Sequence, residues 1–150
     1  MSSQLIILLK DLFNVSLVSN TLNLQDMELE WIQTFFLETT DLNFKIGELL
    51  KKTMRDFDLF AIPHFIIDLV PIVKTVGKEI EMTNPRMTLL LIKFIVVTLI
   101  DNEVLRILSD EQSQADLLIN TSINLLGINL DITETENVGC YKYFRKYFLF

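Results

Sequence analysis

The sequence predicts an all-α fold: one domain of six or seven helices around a buried central helix. Apolar residues recur at steps of three and four along most of the chain, the spacing that lines one face of a helix. Gly and Pro are scarce, at four and three, whereas an all-β chain needs turn residues far more often. Half of the 150 residues are hydrophobic, which excludes a disordered chain and supplies a real core without staples. A single Cys leaves no intrachain disulfide and points to a reducing, cytoplasmic compartment.

The first element, residues 4–18, is apolar around most of its circumference and is expected to be buried on more than one side. Ser19, Asn20 and Thr21 end it. A second helix over 24–37 places Leu24, Met27, Trp31, Ile32 and Phe35 on one face, with acids near its start, where the helix dipole favours them. Asp41 is the expected N-cap of a third helix. Its apolar line is Leu42, Ile46, Leu49, Leu50, Met54 and Phe57, and Glu48 to Lys52 is a favourable (i, i+4) pair.

Pro63 opens the fourth helix in its first turn, where no donor is lost. Phe65, Ile66, Leu69, Val70, Ile72, Val73 and Val76 form its apolar side, and His64, Asp68, Lys74, Thr75 and Lys78 its polar side. Pro71 is expected to kink or split it, and Gly77 to weaken its end. Asn84-Pro85 starts the fifth helix, 85–101, apolar nearly all round and therefore the central one. Residues 102–109 are expected to continue as a short helix. Ser109 or Asp110 caps a last helix over about 110–127, with Gly127 as its C′ residue. This gives a helical domain over 1–127, a flexible polar link over 128–139 and a tail over 140–150. Within the link, the alternation from Ile128 to Thr133 also fits a short strand.

The net charge is −7. The tail holds three bases and no acid, so residues 1–139 carry −10. Such a surface repels a phosphate backbone, and no nucleic-acid partner is expected. The start, MSSQLIILLK, has no basic region and no small-residue cleavage site, so a signal peptide is not expected. The apolar blocks 87–100 and 117–130 are 14 residues each, about 21 Å as helix against the roughly 30 Å of a bilayer core. Both read as core helices.

The chemistry of catalysis is sparse. His64 and Cys140 are the only His and Cys, and no nucleophile signature surrounds Cys140. Asp26 and Glu30 lie four apart, but no EF-hand, HExxH or phosphate-cradling Gly loop occurs, and a solvated acidic face explains them. No catalytic, cofactor-binding or metal-ligating residue, no cofactor and no small-molecule substrate is expected.

The unusual segment is the last one. Cys140, Tyr141, Lys142, Tyr143, Phe144, Arg145, Lys146, Tyr147, Phe148 and Phe150 interleave bases with aromatic rings, and all three Tyr of the chain lie here. Three readings stand side by side. The tail covers the protein's own apolar surface. It anchors in a groove on another protein. Or it lies at a membrane interface with Cys140 as a palmitoylation site.

The helix opened by Ile62-Pro63-His64-Phe65-Ile66-Ile67-Asp68-Leu69, the second long apolar helix, the apolar helix from Leu117 to Leu126 with Thr121 and Ser122, and the Cys-aromatic terminus together resemble small all-α structural proteins of large nucleocytoplasmic DNA viruses. The resemblance covers about residues 59–150. It implies a minor capsid or other virion component that works by assembly with other structural proteins or with itself, in the virion and host cytoplasm. The length, helix count and central helix are also similar to viral Bcl-2-like interaction modules, which accept an amphipathic helix in a groove. The Gly-Arg element such a groove often carries is missing at Gly47 and Gly77.

Overall fold

The structure, a computed structural model, describes residues 2–39 and 41–134. Among the described residues it is all helical. Six α-helices follow in order: α1 (Ser2–Ser19), α2 (Asp26–Glu38), α3 (Leu42–Thr53), α4 (Ile62–Glu79), α5 (Pro85–Asp101) and α6 (Gln112–Glu134). Short 3-10 turns lie at Met54–Asp56, Leu59–Ala61 and Ser109–Glu111.

The reason α5 is central is visible in its composition. Leu91, Ile92, Phe94, Ile95, Val96, Leu99 and Ile100 point in several directions, and all are buried. Four helices, α1, α2, α4 and α6, pack around it. Phe94 reaches Phe13 of α1 and Phe36 of α2, with ring centroids 6.1 and 6.2 Å away, and Phe13 stacks on Phe36 at 5.0 Å. This aromatic triad fastens the first two helices to the centre. On the other side, α4 packs against α3, α5 and α6 through Phe65, Ile66, Leu69, Val73 and Val76.

Helix starts follow the expected chemistry at α5. Asn84 Oδ1 accepts from the Met87 N–H at 3.1 Å, and Pro85 takes the first position. Asp41 precedes α3, and its carbonyl accepts the first helical hydrogen bond, from Lys45 N–H. At α6 the cap differs from expectation. The 3-10 turn Ser109–Glu111 leads into α6 and is itself capped at Leu108, whose N–H donates to the Glu111 carboxylate, so Ser109 and Asp110 lie inside that turn.

The ends of α4 and α5 share one device. The N–H of Met82 bonds the Gly77 carbonyl and that of Val104 bonds the Leu99 carbonyl, each closing a Schellman turn. The residue in the left-handed conformation is Glu81 in one and Glu103 in the other, both at φ 59°. Residues 102–108 are therefore a turn and extended chain rather than the short helix expected. Gly77 is needed because the turn folds the Met82 carbonyl back on it. An added Cβ would sit 2.6 Å from that oxygen.

Other differences have physical causes. Pro71 does not split α4, which is helical from Ile62 to Glu79; the ring lies on the exposed side, away from the core. Gly127 does not end α6. It lies where α6 crosses Leu89 of α5, whose Cδ1 is 3.2 Å from a built Cβ, and the helix runs on to Glu134. The strand reading of 128–133 and the first half of the flexible link give way to that helix. Glu48 pairs with Lys51 at 3.7 Å, one step short of Lys52. Met27 is exposed, and Phe36 takes its place in the inward face of α2.

Candidate functional site

Two features stand out on the described surface: the outer face of α1 and a cleft at the junction of α5 and α6.

Helix α1 buries Leu9, Phe13, Ser16 and Leu17 against α3 and α5. Its other side carries apolar residues too. Ile7 is 61 % exposed, Leu8 47 %, Val15 66 % and Val18 84 %. The expectation of burial on more than one side is therefore corrected: the bundle covers one face only. At 100° per residue, Ile7, Asp11, Asn14 and Val18 fall within an arc of about 60°, with Leu8 and Val15 along one flank. Near the start of the helix, Leu5 and Ile6 meet Phe44 and Gly47 of α3 in a shallow groove, and Phe44 is half exposed. Isolated exposed apolar residues are ordinary on any protein; four on one helix face form a patch.

The cleft encloses about 460 Å³ and is lined by Ile100, Asp101, Glu103, Arg106, Ile107, Ser109 and Gln112. Asp101 sits in the last turn of α5. Partial burial, and then the nearby carboxylate of Asp116, raise its pKa above the ordinary 3.8. Asp116 accepts from Gln112 Nε2 at 3.3 Å. The lining holds no His or Cys to activate Ser109. The cleft offers mixed charge and little apolar area, a poor match to the largely apolar lining of most small-molecule sites.

His64 is exposed on α4, as are Asp26 and Glu30 on α2. Among the described residues no three His, Cys, Asp or Glu side chains converge as metal ligands. The tail residues Cys140, Tyr141, Lys142, Tyr143, Phe144, Arg145, Lys146, Tyr147, Phe148 and Phe150 lie outside the described residues. Apolar positions around most of α1 predict burial on more than one side, and that expectation hides the patch. The charge pair Lys10-Asp11 in the middle of the element was the available signal that one side faces outward.

One described segment, Leu59–Glu79, is long and apolar enough to cross a membrane by length and composition. Neither of the two blocks singled out by their apolar runs is. Its apolar side lies in the core, while His64, Asp68, Lys74 and Lys78 are exposed opposite, the pattern of a core helix in a bundle.

The fold and surface define a class no finer than an all-α bundle with an apolar helix face uncovered among the described residues. No family model, no curated protein and no solved structure matches the chain.

Proposed function

We propose that the chain is a non-enzymatic structural or assembly protein, a minor capsid or other virion component, that acts through protein–protein contacts. The observation that supports this is the uncovered face of α1. A helix whose outer side keeps Ile7, Leu8, Val15 and Val18 in water gains free energy when another protein covers them. The aromatic-basic tail, Cys140–Phe150, supplies a second candidate contact. The test is quantitative mass spectrometry on purified particles of the encoding virus, before and after detergent. The expected result is a fixed copy ratio to the major capsid protein that survives detergent. A chain absent from particles overturns the reading, and one stripped by detergent favours anchoring of the tail in a membrane.

A second reading, a Bcl-2-like module acting on a host pathway, is supported by the central position of α5 within the ring of α1, α2, α4 and α6. An amphipathic helical peptide that raises the melting temperature by several degrees would favour it.

A further inference from the structure

We propose that the outer face of α1 is covered by the same face of a second copy of this chain, the two helices lying antiparallel across a two-fold axis. The inference rests on the assembly reading and names its first partner.

The argument begins with the pattern on the helix. The exposed stripe is Ile7, Asp11, Asn14 and Val18, with spacings of four, three and four. That order reads the same in both directions. A two-fold contact demands this property, because each residue meets its counterpart on a helix running the other way. In the register that sets Ile7 opposite Val18 of the second copy, Asp11 falls opposite Asn14. The Asn amide donates to the carboxylate at the centre, twice by symmetry, and apolar pairs close both ends. Leu8 and Val15 share one flank, so the flanks of the two copies meet apolar to apolar.

Charge selects the occupant. The chain carries −7, so two copies repel over most of their surface. Helix α1 holds one base, Lys10, and one acid, Asp11, and is net neutral. It is a face through which two copies approach with little electrostatic cost. A basic partner would gain more at the acidic surfaces than here. A lipid surface fits poorly as well: interfacial helices carry several Lys or Arg along their polar side, and α1 has one.

The contact is small. Ile7 to Val18 spans about 16 Å of helix. Such an interface lies below the roughly 1,200 Å² of a standard stable complex, which sets the expected affinity in the micromolar range.

The test is sedimentation equilibrium of the full chain carrying Cys140→Ser, from about 1 to 500 µM, a range that brackets that affinity. Three further variants are compared: Ile7→Lys, Val18→Glu, and both together. A reversible dimer is expected. Each single variant should weaken it by about tenfold or more, because a charge is then buried against an apolar side chain. The double variant should recover most of the affinity, because in this register the two new charges face each other across the axis. Both positions are exposed, so circular dichroism should show unchanged helix content and a melting temperature within about 2 °C.

A chain that stays monomeric over the whole range overturns the proposal. So does a dimer indifferent to both single variants, or a loss that the double variant does not recover. Binding of the monomer to zwitterionic vesicles that Ile7→Lys and Val18→Glu both abolish would assign the face to lipid and overturn it too. A monomer that still enters particles removes the two-fold contact and leaves the assembly reading. A dimer absent from particles does the reverse.

Discussion

Helices α1 and α5 have nearly the same composition pattern and opposite surroundings. Both are apolar around most of their circumference. Four helices enclose α5 and bury Leu91, Ile92, Phe94, Ile95 and Leu99 completely or nearly so. Helix α1 packs on α3 and α5 and touches α2 through Phe13 and Phe36, and among the described residues nothing covers its far side. The difference shows that an all-round apolar helix marks a helix with two faces to cover, and that the domain need not be what covers the second. For α5 the other helices do it. For α1 no described element does it.

The sharpest way to break this comparison is to delete side chains of each helix and compare the costs. Phe94→Ala should lower stability by about 3–5 kcal/mol, since it empties a fully enclosed site and removes the ring that contacts Phe13 and Phe36. Val18→Ala, on the open face, should change it by less than about 0.5 kcal/mol in the dilute monomer. Urea denaturation measures both. Equal costs would mean that the outer face of α1 is as enclosed as α5.

The next effect concerns how α5 is delivered to the centre. Gly77→Ala ordinarily favours a helix by up to about 1 kcal/mol. Here the new Cβ meets the Met82 carbonyl at 2.6 Å, and backbone must move. The expected outcome is a net loss of about 2 kcal/mol, within the overpacking range. A gain in melting temperature would show that the turn between α4 and α5 is looser than drawn.

Complete enclosure has a cost that α1 does not share. The Thr98 hydroxyl in α5 is buried with no hydrogen-bond partner. Thr98→Val keeps the shape and removes the unmet group, and should stabilise the domain by about 1 kcal/mol. The same exchange at exposed Thr75 of α4 should do almost nothing.

The smallest effect lies at the exit of α5. The raised pKa of Asp101 means that ionisation is harder in the folded chain than in the unfolded one. Stability from this group is fully present below the unfolded value of 3.8 and is lost as pH rises through the higher folded value. The carboxylate also faces the negative end of the α5 dipole. Asp101→Asn should therefore raise stability at neutral pH by about a few tenths of a kcal/mol, discounted for solvent screening, and the gain should disappear below the unfolded pKa. Melting curves across the acid range check the sign.

Much of the architecture was legible residue by residue. The faces of α4 were read correctly because a 3.6-residue period leaves little choice: Phe65, Ile66, Leu69, Val73 and Val76 are buried, and His64, Asp68, Lys74 and Lys78 are exposed. Asn84-Pro85 was legible because cap and ring chemistry are local. The same local rules failed at Gly127 and at residues 102–109. Gly127 is set by the crossing of α6 over Leu89, and the 102–109 segment by a left-handed Glu103, a residue without the conformational freedom of Gly.

The sequence by itself determined that this chain is helical, that Asn84 caps α5, that Pro85 and Pro63 stand in the first turns of α5 and α4, and that α5 and α1 both seek apolar surroundings. Those are consequences of backbone preference and of hydrophobic periodicity, which act over a few residues. The sequence also marked α5 as the central helix; only the tertiary structure decided that α1, apolar to a similar extent, keeps one side exposed. The number of neighbours around a helix depends on chain connectivity and on the limited area that α3 and α5 present to α1. Burial is a property of the packed whole: Lys10 and Asp11 mark one side of α1 as outward, but no pattern within its eighteen residues encodes how many helices will reach it.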